Sequence, residues 1–232
     1  GQIPVVLVHG NFASARFFEP FLSKLPKEYT AYALDLPNFG FSDKLKGDIT
    51  IENYAKALEA FVDKLGLKDF ILLGHSLGGA VAMAYSIKNS DKIKKLILVD
   101  PAPVNGMYMP EEGYKVVRLY SYNPGMIKKA LMFNAPNYDD ERFFDKITAD
   151  ALRMAKEAFE GNARALSSYN FTDVVKNVNI PVVVIYGDKD VLLTREQMEF
   201  TAKAFPKGTL VVLKDVGHSP VVEAIDEVLK YL

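Results

Sequence analysis

Six short apolar runs, rich in β-branched residues, punctuate the chain at 5–8, 31–34, 70–73, 96–99, 182–186 and 210–213. Each has the length of a strand. Their near-continuous apolar character suits strands buried on both faces, as in a parallel sheet, better than the strict alternation of a half-solvated one. The stretches between them show helical spacing. In 51–65, Tyr54, Leu58, Phe61, Val62 and Leu65 recur on one helical face. Strand alternating with helix predicts an α/β fold: an open, mostly parallel sheet with helices on both faces.

The alternation breaks between 103 and 178, a separation far longer than an ordinary crossover needs. This segment is rich in Tyr, Met and Phe. The expected organisation is an α/β core from 1–102 and 179–232, with 103–178 inserted as a helical cap. Most aromatic and methionine side chains of the insert should pack its own interior, leaving a minority to face a cleft between cap and sheet.

Composition narrows the classes. A hydrophobic fraction of 49% supports one large core. The formal net charge of -1, with basic residues scattered, gives no reason to expect nucleic acid as a partner. The absence of cysteine excludes disulfides, thiolate catalysis and zinc–thiolate sites, and agrees with a cytoplasmic location. No apolar run is long enough to span a bilayer, and the first residues carry no signal-peptide pattern. The chain opens on Gly1 and enters a strand almost at once, so trimmed ends are expected.

The most chemically specific stretch is Gly74-His75-Ser76-Leu77-Gly78, directly after the third apolar run and directly before a helical pattern. A serine on a tight strand-to-helix turn is held in a strained backbone, its hydroxyl raised above the sheet edge near the positive end of the helix. Such a serine needs a general base and a group that orients the base. Of the three histidines, His75 sits inside the turn and is expected to point away from the hydroxyl. His9 ends the first strand and reads as a structural brace. His218, in Val216-Gly217-His218-Ser219-Pro220 after the last strand, is the base candidate, because ligand sites form at the C-terminal edge of a parallel sheet. For the acid, Asp188, Asp190 and Asp100 all follow strands. The spacing Asp188, Asp190, Glu199 suggests a calcium loop, but Leu192 and Leu193 occupy positions that need an oxygen ligand and a glycine, so no metal is expected. The backbone N–H groups of Leu77 and Asn11 are the candidates for stabilising a developing oxyanion.

Taken in order, the His9-Gly10-Asn11 loop, Asp35 to Ser42, the Gly74 to Gly78 turn, Gly187 to Asp190, and Gly217-His218 resemble the α/β-hydrolase superfamily, in a serine carboxylesterase-like branch. The resemblance spans nearly the whole chain. It implies that the acid is Asp190 and that 103–178 is a helical cap. Members usually begin with an antiparallel hairpin ahead of the His-Gly strand. Here there is none, so the strand at 31–34 is expected at an exposed edge. His-Gly-Asn is similar to the halide-binding loop of haloalkane dehalogenases, but those carry aspartate at the turn, as epoxide hydrolases do. Ser76 favours acyl transfer to water.

The expected function is a cofactor-free serine hydrolase that cleaves small-molecule esters of small to medium acyl groups through an acyl-enzyme, with Ser76, Asp190 and His218 as the triad. The alternatives are a carbon–carbon bond hydrolase, a lactonase, and an amidase or aminopeptidase, since one triad serves all of them. A slow-turnover ligand-binding protein is the alternative from another class.

Overall fold

All six apolar runs form strands in the computed structural model, which describes residues 1–232. The strands are β1 (Ile3–Val8), β2 (Tyr29–Leu34), β3 (Phe70–His75), β4 (Ile93–Val99), β5 (Val182–Gly187) and β6 (Gly208–Leu213). They build one sheet in the order β2-β1-β3-β4-β5-β6, and every pairing is parallel. β2 lies at one edge, as expected. The central β3 is buried along its whole length, which is why its first four residues, Phe70 to Leu73, are continuously apolar.

The strand order reverses direction between β1 and β3. Loops leaving these two strands part to opposite sides, and the crevice between them is where open α/β sheets form ligand sites. Register brings the relevant chain ends level. Val8 pairs with Gly74, and His75 pairs with Val99. Asp100 N–H donates to Ile185 O at 2.8 Å. The residues that follow β1, β3, β4 and β5 therefore emerge at one edge.

Helices cover both faces. α1 (Glu19–Ser23) follows β1, α2 (Ile51–Leu65) follows β2, and α3 (Leu77–Asn89) follows β3. α2 packs on α3, and α3 on β1 and β3. The α2 boundaries follow from its caps: the Thr50 side chain accepts from Asn53 N–H, and Gly66 closes the helix at φ +63°. Tyr54, Leu58 and Val62 are buried as the periodicity predicts. Leu65 is not; it is 45% exposed, in the last turn before Gly66.

Between β4 and β5 the chain forms α4 (Glu111–Tyr120), α5 (Pro124–Phe133), α6 (Glu141–Ala151) and α7 (Lys156–Ser168). α4 packs on α7 and α5 on α6. Phe143, Phe144, Met154, Phe159, Tyr169 and Phe171 are buried. A polar clasp ties this segment to the core: the buried Asp150 carboxylate accepts from Ser14 Oγ at 2.7 Å and Arg16 Nε at 2.9 Å. After β5 come α8 (Arg195–Ala204), which packs on β5 and β6, then α9 (Pro220–Glu223) and α10 (Ile225–Leu229). α9 packs against α1.

Candidate active site

Ser76 occupies the turn between β3 and α3 at φ +53°, ψ −118°. A non-glycine residue held at positive φ is strained, and the surrounding hydrogen bonds hold it there. Ser76 N–H donates to Val99 O at 3.1 Å, and Ser76 O accepts from Gly79 N–H and Ala102 N–H. Gly78 is required by close packing: a Cβ there would overlap the carbonyl oxygens of Val8 and His9. The start of α3 can thus seat directly on the end of β1, which brings the loop carrying Asn11 next to Ser76.

His218 Nδ1–H donates to Asp190 Oδ2 at 2.6 Å, and both side chains are shielded from solvent. Asp190 Oδ1 accepts from Leu192 N–H at 2.7 Å and Leu193 N–H at 3.1 Å. Burial alone would raise the Asp190 carboxyl. The hydrogen bond and charge of His218, with the two amides, outweigh burial and hold it below the usual carboxylate range. His218 and Ser76 line the same cleft, and the Ser76 hydroxyl makes no hydrogen bond there. Ligand-free sites often carry such an open link, which closes when substrate is held.

The other acids separate cleanly. Asp188 is exposed, and it does not bond within its own turn. Its Oδ1 accepts from Asp215 N–H at 2.6 Å, fastening the β5 loop to the turn after β6, where Asp215 itself sits at φ +59°. Asp100 is fully buried and accepts from Gly187 N–H at 3.1 Å. Asp100, Asp190 and His218 bring potential ligand atoms within 4.8 Å of one another. These donors are directed at each other and at backbone amides, an acid–imidazole arrangement rather than a metal cradle.

The two remaining histidines are braces. His9 Nδ1–H donates to Gly10 O at 2.8 Å, and its Nε2 accepts from Leu36 N–H at 3.1 Å, linking the loops after β1 and β2. His75 is engaged elsewhere than at the Ser76 hydroxyl. Its ring stacks on Phe17, and Nε2–H donates to His218 O at 2.7 Å, so it supports the backbone of His218. Burial lowers His75 to about 3 and lowers His9 as well, so both rings are neutral.

Asn11 and Leu77 both stand beside Ser76. Leu77 opens α3, so its N–H is one of the helix's unpaired donors. The Asn11 side chain is fixed by contacts that no local motif signalled. Asn162 Nδ2, from α7, donates to Asn11 Oδ1 at 3.0 Å. Asn162 Oδ1 accepts from Tyr54 OH at 2.7 Å, and that hydroxyl accepts from Asn38 Nδ2 at 3.1 Å. This chain crosses from α2 to α7, and only the folded arrangement brings its members together.

The cleft encloses about 750 Å³. Phe12, Met107, Met109, Tyr120 and Met126 form much of its apolar wall, and Val191 and Leu192 close it beside Asp190. A family model described as alpha/beta hydrolase fold matches residues 3–224. Lipase 3 of Moraxella sp. (strain TA144) is 27% identical over 246 residues, covering 97% of this chain and 74% of the lipase. An esterase from Exiguobacterium antarcticum superposes with a TM-score of 0.89 at 20% identity, covering 98% of this chain and 89% of its own. The enol-lactonase from Burkholderia xenovorans LB400 superposes with a TM-score of 0.83 at 20% identity, covering 99% and 89%. At that identity the two superpositions speak for the fold.

Proposed function

Since the chain belongs to the alpha/beta hydrolase fold family, we propose that it is a serine carboxylesterase acting on esters of small to medium acyl groups. The observation that carries this reading is one cleft lined by Ser76 on its strained turn and by His218, whose ring is tied to Asp190 at 2.6 Å. The likeness to Lipase 3 favours an ester over an amide.

Ser76 Oγ attacks the ester carbonyl while His218 Nε2 takes its proton. Asp190 holds the ring with Nδ1 protonated, which leaves Nε2 free as the base, and its charge stabilises the imidazolium. The N–H groups of Asn11 and Leu77 receive the negative charge that develops on the carbonyl oxygen. His218 then protonates the departing alcohol, and water repeats the sequence to release the acid. The acyl chain lies against the methionine-rich wall, with α4 to α7 acting as a cap. A volume of about 750 Å³ suits a small or medium ligand.

The test is a panel of chromogenic esters of graded chain length, with lactones and amides beside them, on wild-type protein and Ser76→Ala. The wild type is expected to hydrolyse short and medium esters and to take up one equivalent of a fluorophosphonate. Ser76→Ala is expected to do neither while keeping its fold. Full turnover by a folded Ser76→Ala protein would overturn the reading.

A further inference from the structure

Asp100 is a buried acid beside Asp190 and His218 to which the proposed mechanism gives no role. Asp100 follows β4, is 0% exposed, and sits at φ +38°. Its carboxyl lies with those of Asp190 and the His218 ring in a cluster whose ligand atoms are within 4.8 Å of one another. The Asp190 side chain is equally shielded. The titratable groups that face Asp100 from neighbouring elements are Asp190, His218, Glu223 and Tyr186. Among them only a protonated His218 could bring positive charge, and the base must be neutral to act.

Two carboxylates this close in a dry site do not both ionise. Their partners decide which keeps the proton. Asp190 accepts from the His218 ring N–H and from two amides. Asp100 accepts from a single amide, that of Gly187. The charge therefore belongs on Asp190. We infer that Asp100 is a neutral carboxylic acid during turnover, that its O–H donates to Asp190, and that it is thereby a positioning residue holding the triad acid against His218. Burial pushes the Asp100 carboxyl well above its ordinary range, and the neighbouring Asp190 charge pushes it further.

Asn is nearly isosteric with a protonated Asp, is neutral, and can donate to Asp190, so Asp100→Asn separates the two charge states. If Asp100 is neutral, the acidic limb of the kcat/KM profile stays where it is in the wild type, and kcat stays within severalfold. If Asp100 were charged, the substitution would remove a negative charge beside the imidazolium and move that limb to lower pH, which would overturn the inference. Asp100→Gly fits the positive φ without strain and cannot donate. It is expected to lower kcat by roughly tenfold or more with little change in KM, the scale of one charge-assisted hydrogen bond. A wild-type kcat in Asp100→Gly would refute the positioning role.

The kinetic arm rests on the esterase reading, and a second readout does not. The infrared difference spectrum at pH 7 between wild type and Asp100→Asn should show the carbonyl stretch of one protonated carboxylic acid. Its absence refutes the neutral Asp100 whatever the enzyme's activity. Failure of the Ser76→Ala test would leave this spectrum informative.

Discussion

Asp188 and Asp190 share one loop yet face different partners, and the difference is directional. Asp190 points inward to the His218 ring, while Asp188 reaches across to the Asp215 amide. Asp190→Asn should lower kcat by several orders of magnitude, about 10⁴-fold by analogy with the triad template, because the amide cannot enforce the imidazole tautomer or stabilise the imidazolium. Asp188→Ala should leave kcat near wild type and cost about 1 kcal/mol of stability from one lost hydrogen bond. Steady-state kinetics and urea unfolding of the two variants check this. A reversal of their phenotypes would move the orienting role to Asp188.

Elements meet the site through α2, α7 and the helices that wall the cleft. Tyr54 of α2 is held protonated by burial, its hydroxyl pushed up to about 12, so it remains a donor to Asn162. Tyr54→Phe strands Asn162 Oδ1 and Asn38 Nδ2 in a buried setting, at a cost of about 1–3 kcal/mol. It should also lower kcat more than it raises KM, since the Asn11 loop loses its anchor. An unchanged kcat would show that the loop holds itself. On the cleft wall, Met109 and Met126 are long, flexible side chains whose removal opens space rather than breaking the core. Met126→Ala should shift the preferred ester toward longer acyl chains, with a Tm close to wild type. Identical chain-length profiles would count against the cap as the acyl wall.

At the scale of the whole molecule, the buried imidazoles contribute to the response to acid. A histidine titrates near 6.5 in an unfolded chain, whereas His75 is lowered to about 3 in the fold. Above 6.5 neither state holds this proton and the ring adds no pH dependence. As pH falls from 6.5 toward 3 the unfolded chain binds a proton that the folded one refuses, so stability drops, by on the order of a few kcal/mol in total. His9 acts with the same sign. Asp190, lowered in the fold, loses its stabilisation as pH falls through its folded value. Asp100, raised in the fold, opposes them, because it holds a proton that the unfolded chain releases above about 3.9. Below pH 6.5 the urea midpoint of wild type should therefore fall relative to that of His75→Gln, which keeps a donor for His218 O but has no ring to titrate. Equal slopes in the two proteins would contradict the buried neutral ring.

The sheet was legible in the chain itself, since strands buried on both faces must be written as apolar runs. The turn at Ser76 was legible for a similar reason: glycine is needed wherever backbones close in, at Gly78 against β1 and at Gly187 against the Val216–Gly217 backbone. Ser76 and His218 could be nominated because each follows a strand, and strand ends share one edge of a parallel sheet; Asp188, Asp190 and Asp100 met that condition equally, and only the resemblance to the superfamily singled out Asp190. What no local pattern carries is direction and distant partnership. Whether Asp188 or Asp190 turns inward, which methionines of 103–178 face the cleft, that Leu65 meets water, and that Asn162 reaches Asn11 across 151 positions all depend on how separate segments pack. The pairing of Asp100 with Asp190 belongs to the same class. Residues after adjacent strands become neighbours only through sheet register, and their shared proton is decided by the low-dielectric interior that packing creates.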